Sequence, residues 1–355
     1  MTKKQLLRSI AFILIVGIML VVLSDLYELD NNKNFDKRFY TYRTYPEDTV
    51  DAVYVGTSGV DRYWIASKAY EDYGMTVYPL SSDALPSWLY TNVVDEALAH
   101  QDPELFIFDI RGYFQKHTAE KMDTYSRRLI GSLDFFSINR FKIAYKTAKM
   151  IHSIDDSKSQ FDLSFVFSFI KFHSRWQEED YSFHKNIGSR QHEYAGFFMN
   201  SSLSTHSEAQ QPVVYDETAV EELNPISEAA LYELLDYVRE RNLKVLFVDS
   251  PKMINQREMG IANQVFKILD KEGFDYISFN KVNEDSRYNI DFDYEKDFYD
   301  DDHVNFYGAQ KYTDALSAYI NDNYDLPDRR NDEHVKENWD NVYSKIVKKI
   351  KEYEK

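Results

Sequence analysis

Five short apolar runs set the frame of this chain. AVYV (52–55), MTVYPLSS (75–82), ELFIFDIR (104–111), KVLFVDS (244–250) and FDYISF (274–279) each read as a strand. The run at 104–111 is continuously apolar, as strands buried on both faces are. Stretches with helical spacing separate them. Val60, Tyr63, Trp64, Ser67 and Tyr70 repeat with that period up to Gly74, and Pro86 opens a second helix over 86–99. Others follow at 227–242, about 255–272 and 306–322. Strand and helix in alternation predict an α/β fold: a three-layer α/β/α sandwich, flavodoxin-like, with a mostly parallel sheet of about five strands.

The rhythm breaks over 113–215, a stretch rich in Phe, Tyr, His and Ser that includes the helical FFSINRFKIAYKTAKMI. It reads as a large helical insertion within an α/β domain spanning 50–330. The tail, 331–355, is charged and amphipathic, with Glu interspersed among Lys, and reads as a solvated terminal helix.

At the other end, the basic MTKKQLLRS precedes the unbroken apolar run IAFILIVGIMLVVL, residues 10–23. Its length alone resembles the apolar core of a signal peptide. Leu6 and Leu7, with Arg8 snorkelling, extend it toward spanning length. No A-x-A site follows, so 1–24 is read as an uncleaved membrane anchor, with a cleaved signal as the alternative. Positive charge before the run and acidic residues after it orient the N-terminus inside and the body outside. The expectation is a single-pass protein of the cell membrane with an extracytoplasmic domain, joined through a juxtamembrane stalk at 25–49.

Charge and cysteine content narrow the partners. The formal net charge is −17, from 59 acidic and 42 basic residues, a field that repels nucleic acid. With no cysteine, the chain has no disulfides, thiolate metal sites or Cys-linked lipid anchor, which is compatible with export.

Two segments carry candidate chemistry. In DAVYVGTSGVDRYW (51–64), Ser58 lies between Gly56-Thr57 and Gly59 at the end of the first strand, where open α/β sheets place ligands. A serine there exposes its hydroxyl, and the start of the next helix offers N–H groups to an oxyanion. On this stretch alone a plain Gly-Ser strand-to-helix turn is the favoured account, and the spacing is not the G-x-S-x-G elbow. In FYDDDHVNFYGAQKY (298–312), Asp300 stands three residues before His303, a spacing by which a loop can set carboxylate against imidazole. The alternative is an acidic loop that caps the helix at 306. The three adjacent Asp do not follow the EF-hand pattern. His173, His184, His192 and His206 match no zinc spacing, so no metal is expected. Trp176, Tyr181 and Tyr194 suit either sugar stacking or a satellite aromatic core, and the core is the favoured account.

The early VGTSG and the late D-x-x-H-x-N-x-x-G-A-x-K-[FY] resemble blocks I and V of the SGNH/GDSL hydrolase superfamily. The resemblance is to its membrane-anchored, cell-surface group, with DltD-like and alginate-acetylation-type members, and covers about 50–112 and 225–322. It implies Ser58 as nucleophile, His303 as base and Asp300 as the residue that orients it. The family's oxyanion Gly falls at Ser81 or Ser82, and its Asn falls at Asp109, Arg111 and Gly112. Ser81, Asp109, Arg111 and Asn305 are therefore the oxyanion or substrate candidates. Arg111 would serve as a charged donor or, alternatively, as the ion-pair partner of Asp109. The resemblance implies a cofactor-free serine esterase or O-acyltransferase acting on a cell-surface polysaccharide or teichoic-acid-like polymer, with a membrane-bound acyltransferase as a possible partner. The alternative is a non-catalytic accessory protein that binds polymer or an acyltransferase through the same cleft.

Overall fold

The computed structural model describes residues 1–27, 33–177, 193–199, 203–206 and 214–354. The chain divides into two compact units, Met1–Lys37 with Thr118–Arg190, and Arg38–His117 with Gln191–Lys355.

The larger unit is built on five parallel strands. These are β1 (Ala52–Gly56), β2 (Val77–Ser81), β3 (Leu105–Asp109), β4 (Val245–Asp249) and β5 (Tyr276–Ser278), in the order β2-β1-β3-β4-β5. Register follows from the pairs Val53 with Tyr78, Val53 with Phe106, Ile107 with Leu246 and Val248 with Ile277. Every residue of β1 to β4 is buried, so both faces of the sheet are covered. The covering helices, which with the sheet make three layers, fall into two packed groups.

The helices take their labels in chain order. α1 (Lys3–Leu26) and α2 (Lys33–Thr44) precede the sheet; α3 (Ser58–Asp61) and α4 (Ala66–Tyr73) follow β1; α5 (Tyr90–Leu98) follows β2. α6 (Ala119–Ser132), α7 (Ile138–Ile154) and α8 (Phe169–Phe172) lie between β3 and β4. α9 (Pro225–Glu240) leads into β4, and α10 (Gln256–Glu272) into β5. α11 (Phe306–Asn323), α12 (Glu333–Trp339) and α13 (Val342–Tyr353) close the chain. α4 packs with α11 and α13, and α5 packs with α9.

Three local expectations change. The helix expected from 60 to 73 is two pieces, α3 and α4. Tyr63, Trp64 and Ile65 turn inward between them, fully buried, with Trp64 Nε1 donating to Val77 O at 2.8 Å. Burial of large aromatics outweighs helical continuity there. The stretch expected as a stalk contributes α2, whose Arg38, Phe39 and Tyr42 are buried in the larger unit. The tail expected to be solvated breaks at Asn341, which has φ of 61°, and packs down. Val335, Trp339, Val342, Ile346 and Ile350 are buried, and Trp339 meets the rings of Tyr45, Tyr70 and Tyr78.

In the smaller unit, α1 is long and apolar enough to cross a membrane, and its aliphatic side chains are exposed along its length. α6 and α7 pack as a hairpin around Leu129, Ile130, Ile143 and Ala148.

Candidate active site

The strand order reverses between β1 and β3, and in such sheets the crevice opens beyond the carboxyl ends of the strands at that point. Ser58 follows β1 and Arg111 follows β3. Gly56 is needed at the turn because a Cβ there would come within 2.5 Å of the Asp109 Cβ and 2.7 Å of Val60. Thr57 then caps α3, its hydroxyl accepting from Gly59 N at 3.4 Å while donating to Asp109 Oδ2 at 3.0 Å. Ser58 is left half-buried at the first position of that turn.

His303 arrives from the loop between β5 and α11. A bridge between Phe298 and Val304 pins the loop's base, and Asn305 caps α11 by accepting from Tyr307 N and Gly308 N. Ser58 Oγ and His303 Nε2 are 2.8 Å apart. On the far side of the ring, Nδ1 lies 2.9 and 3.0 Å from the two oxygens of Asp300. A carboxylate accepts only, so Nδ1 carries the proton and Nε2 is free to accept from the serine hydroxyl. Asp302 N donates to Asp300 Oδ1 at 2.8 Å, which holds that carboxylate in place. Tyr299 stacks on the imidazole, its ring 9° from parallel, and its hydroxyl accepts from Arg62 Nη1 at 2.7 Å.

The electrostatics suit a base. Burial, together with the charges of Arg111 and Arg62, pushes the His303 pKa below its usual value against the opposing hydrogen bond to Asp300. Burial disfavours the Asp300 carboxylate, but the His303 contacts and the Asp302 amide outweigh it and hold its pKa below the ordinary range.

The three adjacent aspartates diverge. Asp300 faces His303, Asp301 Oδ1 lies 2.8 Å from His206 Nε2, and Asp302 Oδ1 lies 2.5 Å from Lys252 Nζ. Among the described residues, no group of three or more His, Asp or Glu side chains is placed to hold a metal ion.

The four oxyanion or substrate candidates separate. Ser81 is fully buried, and its hydroxyl donates to Asp61 Oδ1 at 2.8 Å. Asp61 in turn pairs with Arg38 at 2.9 Å, where both side chains are buried. Asn305 is spent on its cap, with its amide donating to Ser204 O and Lys296 O. Asp109 is fully buried and accepts from Thr57, Ser250 Oγ at 3.1 Å and the Arg111 amide at 3.4 Å. It ties the ends of β1, β3 and β4 together and has no donor to offer an oxyanion. Burial raises its pKa, opposed by Arg111, Thr57 and Ser250.

Arg111 alone of the four turns toward the Ser58 turn. A Cβ on Gly59 would stand 2.6 Å from Arg111 Nη1, so the glycine next to Ser58 makes room for the guanidinium. Nη2 donates to Asp302 O at 2.8 Å, and the group lies over the Tyr63 ring. Nη1 is buried without a hydrogen-bond partner. Burial works against its charge, but Tyr63, Asp109 and Asp302 outweigh that and raise its pKa.

Thr57, Tyr63, Ser250, Lys252 and Tyr299 escape a motif search, because their contribution depends on strand order. Thr57 and Ser250 carried one signal, their place just after a strand, where such sheets present ligand-facing groups. His184, His192 and Tyr181 lie outside the described residues. His173 Nδ1 contacts Ile170 O, and Trp176 is exposed rather than packed in a satellite core.

No protein-family model matches this chain, and no curated protein matches it.

Proposed function

We propose that this protein is a serine-dependent acyl-transfer enzyme, an esterase or O-acyltransferase of SGNH type. The observation that carries the reading is the contiguous Ser58–His303–Asp300 array, 2.8 and 2.9 Å between partners, at the crevice edge of the sheet. Ser58 Oγ attacks the acyl carbonyl carbon while its proton passes to His303 Nε2. The oxyanion is held by Arg111 Nη1, the buried donor beside Gly59. Collapse breaks the bond to the leaving oxygen, which takes the proton from His303. Water or a polymer hydroxyl, deprotonated by the same imidazole, then releases the acyl group from Ser58. Asp300 stays ionised and fixes the tautomer.

The family resemblance supplies the substrate class, a cell-surface polysaccharide or teichoic-acid-like polymer, and a membrane-bound acyltransferase as donor or acceptor of the acyl group. The apolar α1 supports single-pass anchoring, and the basic residues before it favour an N-terminus inside. Protease shaving of intact cells tests that topology, because an enclosed α/β unit would survive it.

The test of the chemistry is a fluorophosphonate probe on the full-length protein. Labelling of the wild type and its loss in Ser58→Ala and His303→Ala is the expected result. An unlabelled wild type, or labelling that persists in Ser58→Ala, overturns it. The second reading, a non-catalytic accessory protein, is favoured by the loss of Ser81 and Asp109 to buried structural roles, and predicts the unlabelled wild type.

A further inference from the structure

We propose that the helical unit, Met1–Lys37 with Thr118–Arg190, beds an exposed aromatic and cationic face into the headgroup region of an anionic bilayer. The inference rests on the membrane-anchor reading of α1 and is independent of the acyl-transfer chemistry. Soluble proteins seldom leave large apolar patches uncovered. Here Phe136, Ile138, Phe141, Tyr145, Phe161 and Trp176 are all exposed, Ile138 by 74% and Trp176 by 60%. Ile138, Phe141 and Tyr145 share one face of α7 by helical spacing, and the exposed Lys142 and Lys149 fall on that face among them. Behind the face, α7 and the 161–167 segment leave an apolar cleft of about 250 Å³ lined by Phe141, Tyr145, Phe161 and Phe167.

Two observations select a bilayer as occupant. The first is charge: α7 itself carries four basic side chains, Arg140, Lys142, Lys146 and Lys149, and no acidic one, in a chain whose net is −17. Aromatics mixed with lysines on one face, over a net positive element, match the headgroup zone of an anionic membrane. The second is continuity, because α8 packs against α1 within the same unit. The membrane that α1 would cross therefore lies beside α8, and Trp176 follows in the next turn of chain.

Tryptophan fluorescence reads the docking directly. The chain has four tryptophans, and Trp64, Trp88 and Trp339 are buried. The full-length protein is reconstituted into phosphatidylcholine vesicles with and without phosphatidylglycerol, using acyl chains brominated near the headgroup. Brominated lipid should quench Trp176 more in the anionic vesicles, and the effect should vanish in Trp176→Phe. Phe141→Ser combined with Phe161→Ser should at least halve it, with the circular dichroism unchanged. Equal quenching in wild type and Trp176→Phe overturns the proposal, as does a Trp176 that aqueous acrylamide reaches equally with and without lipid. A protein partner on this face predicts that second result. Alkaline carbonate washing separates the two readings. Retention without Trp176 quenching overturns the docking alone, whereas release from the vesicles overturns the anchor and this inference with it.

Discussion

The two units treat the same residue types in opposite ways. In the α/β unit, Tyr54, Tyr63, Tyr78, Tyr90 and Tyr312 are buried and their hydroxyls are bonded: Tyr90 to Asp109 O, Tyr78 to Arg38 O, Tyr54 to Tyr312. In the helical unit, Phe136, Phe161 and Trp176 face outward. Charge divides likewise, with 25 basic and 46 acidic residues in the α/β unit against 17 and 13 in the helical one. A buried tyrosine with a bonded hydroxyl fixes position, which a catalytic array needs. An exposed ring beside a lysine fixes nothing within the chain and gains stability only from something outside it. One unit is thus built for internal precision, and the other for contact.

The largest effect that contrast predicts is chemical. Ser58→Ala should lower turnover of an activated ester by about 10⁶-fold, as loss of a triad nucleophile does, and leave vesicle association unchanged. If both activities fall together, the division between units fails. The pH profile sharpens this. The base must be neutral, and burial depresses the His303 pKa. Activity should therefore be full at pH 7 and fall as pH drops through a value below the usual histidine range. Asp300→Asn removes a contact that favours the imidazolium. Its acid limb should move to still lower pH, while the plateau rate falls. A limb that moves upward would deny that Asp300 acts on His303.

Next in size is a stability contrast. Asp61→Ala removes one partner of an ion pair whose two side chains are fully buried and should cost about 3–5 kcal/mol in chemical denaturation. Phe141→Ser, on the exposed face of the helical unit, should stay within about 0.5 kcal/mol. A cost for Phe141→Ser approaching that of Asp61→Ala would mean its ring is a core residue after all.

How much of this was legible varies with the distance over which the determining contacts act. The strands were legible because a sheet covered on both faces demands continuous apolar runs. Asp300 and His303 were legible because three residues of one loop set their separation. Ser81 was misjudged because its fate depends on Asp61 and on Arg38, which sits in a stretch whose polar composition resembles a linker. Asp61, Ser81 O and Gly196 O, from three distant segments, converge on the buried Arg38. No local pattern encodes such convergence. The break in the expected 60–73 helix has the same origin: Trp64 answers to Val77 O and Ile65 N to Thr313, not to their sequence neighbours.

Gly59→Ala probes the site more gently. The added methyl would meet Arg111 Nη1 at 2.6 Å and Ser250 Oγ at 2.8 Å, both ends of side chains able to shift. The fold should persist while the guanidinium is displaced. A kcat about tenfold lower, roughly 1.4 kcal/mol of transition-state stabilisation, with KM little changed, is the expected result. Unchanged kcat would remove Arg111 from the oxyanion role and leave it as a structural link to Asp302.

The smallest effect tests the outward-facing half. Lys149 is exposed on α7, its Nζ 5.5 Å from the Tyr145 ring centre. One basic residue near an anionic surface contributes about 1 kcal/mol, so Lys149→Glu, which also adds a repulsive charge, should reduce lipid quenching of Trp176 several-fold in phosphatidylglycerol-containing vesicles. It should do little in pure phosphatidylcholine. Because the Debye length shrinks from about 10 Å at 0.1 M salt to about 3 Å at 1 M, the difference between wild type and variant should close as salt is raised. An equal loss in both lipids at all salt concentrations would point to damage within α7 instead, since packing does not depend on headgroup charge. In the α/β unit, the matching reversal Lys336→Glu, at a half-buried site paired with Glu333 on α12, should leave quenching untouched in either lipid. If it reduces quenching as much as Lys149→Glu does, the response reflects the net charge of the whole chain, and the helical unit has no surface of its own to present.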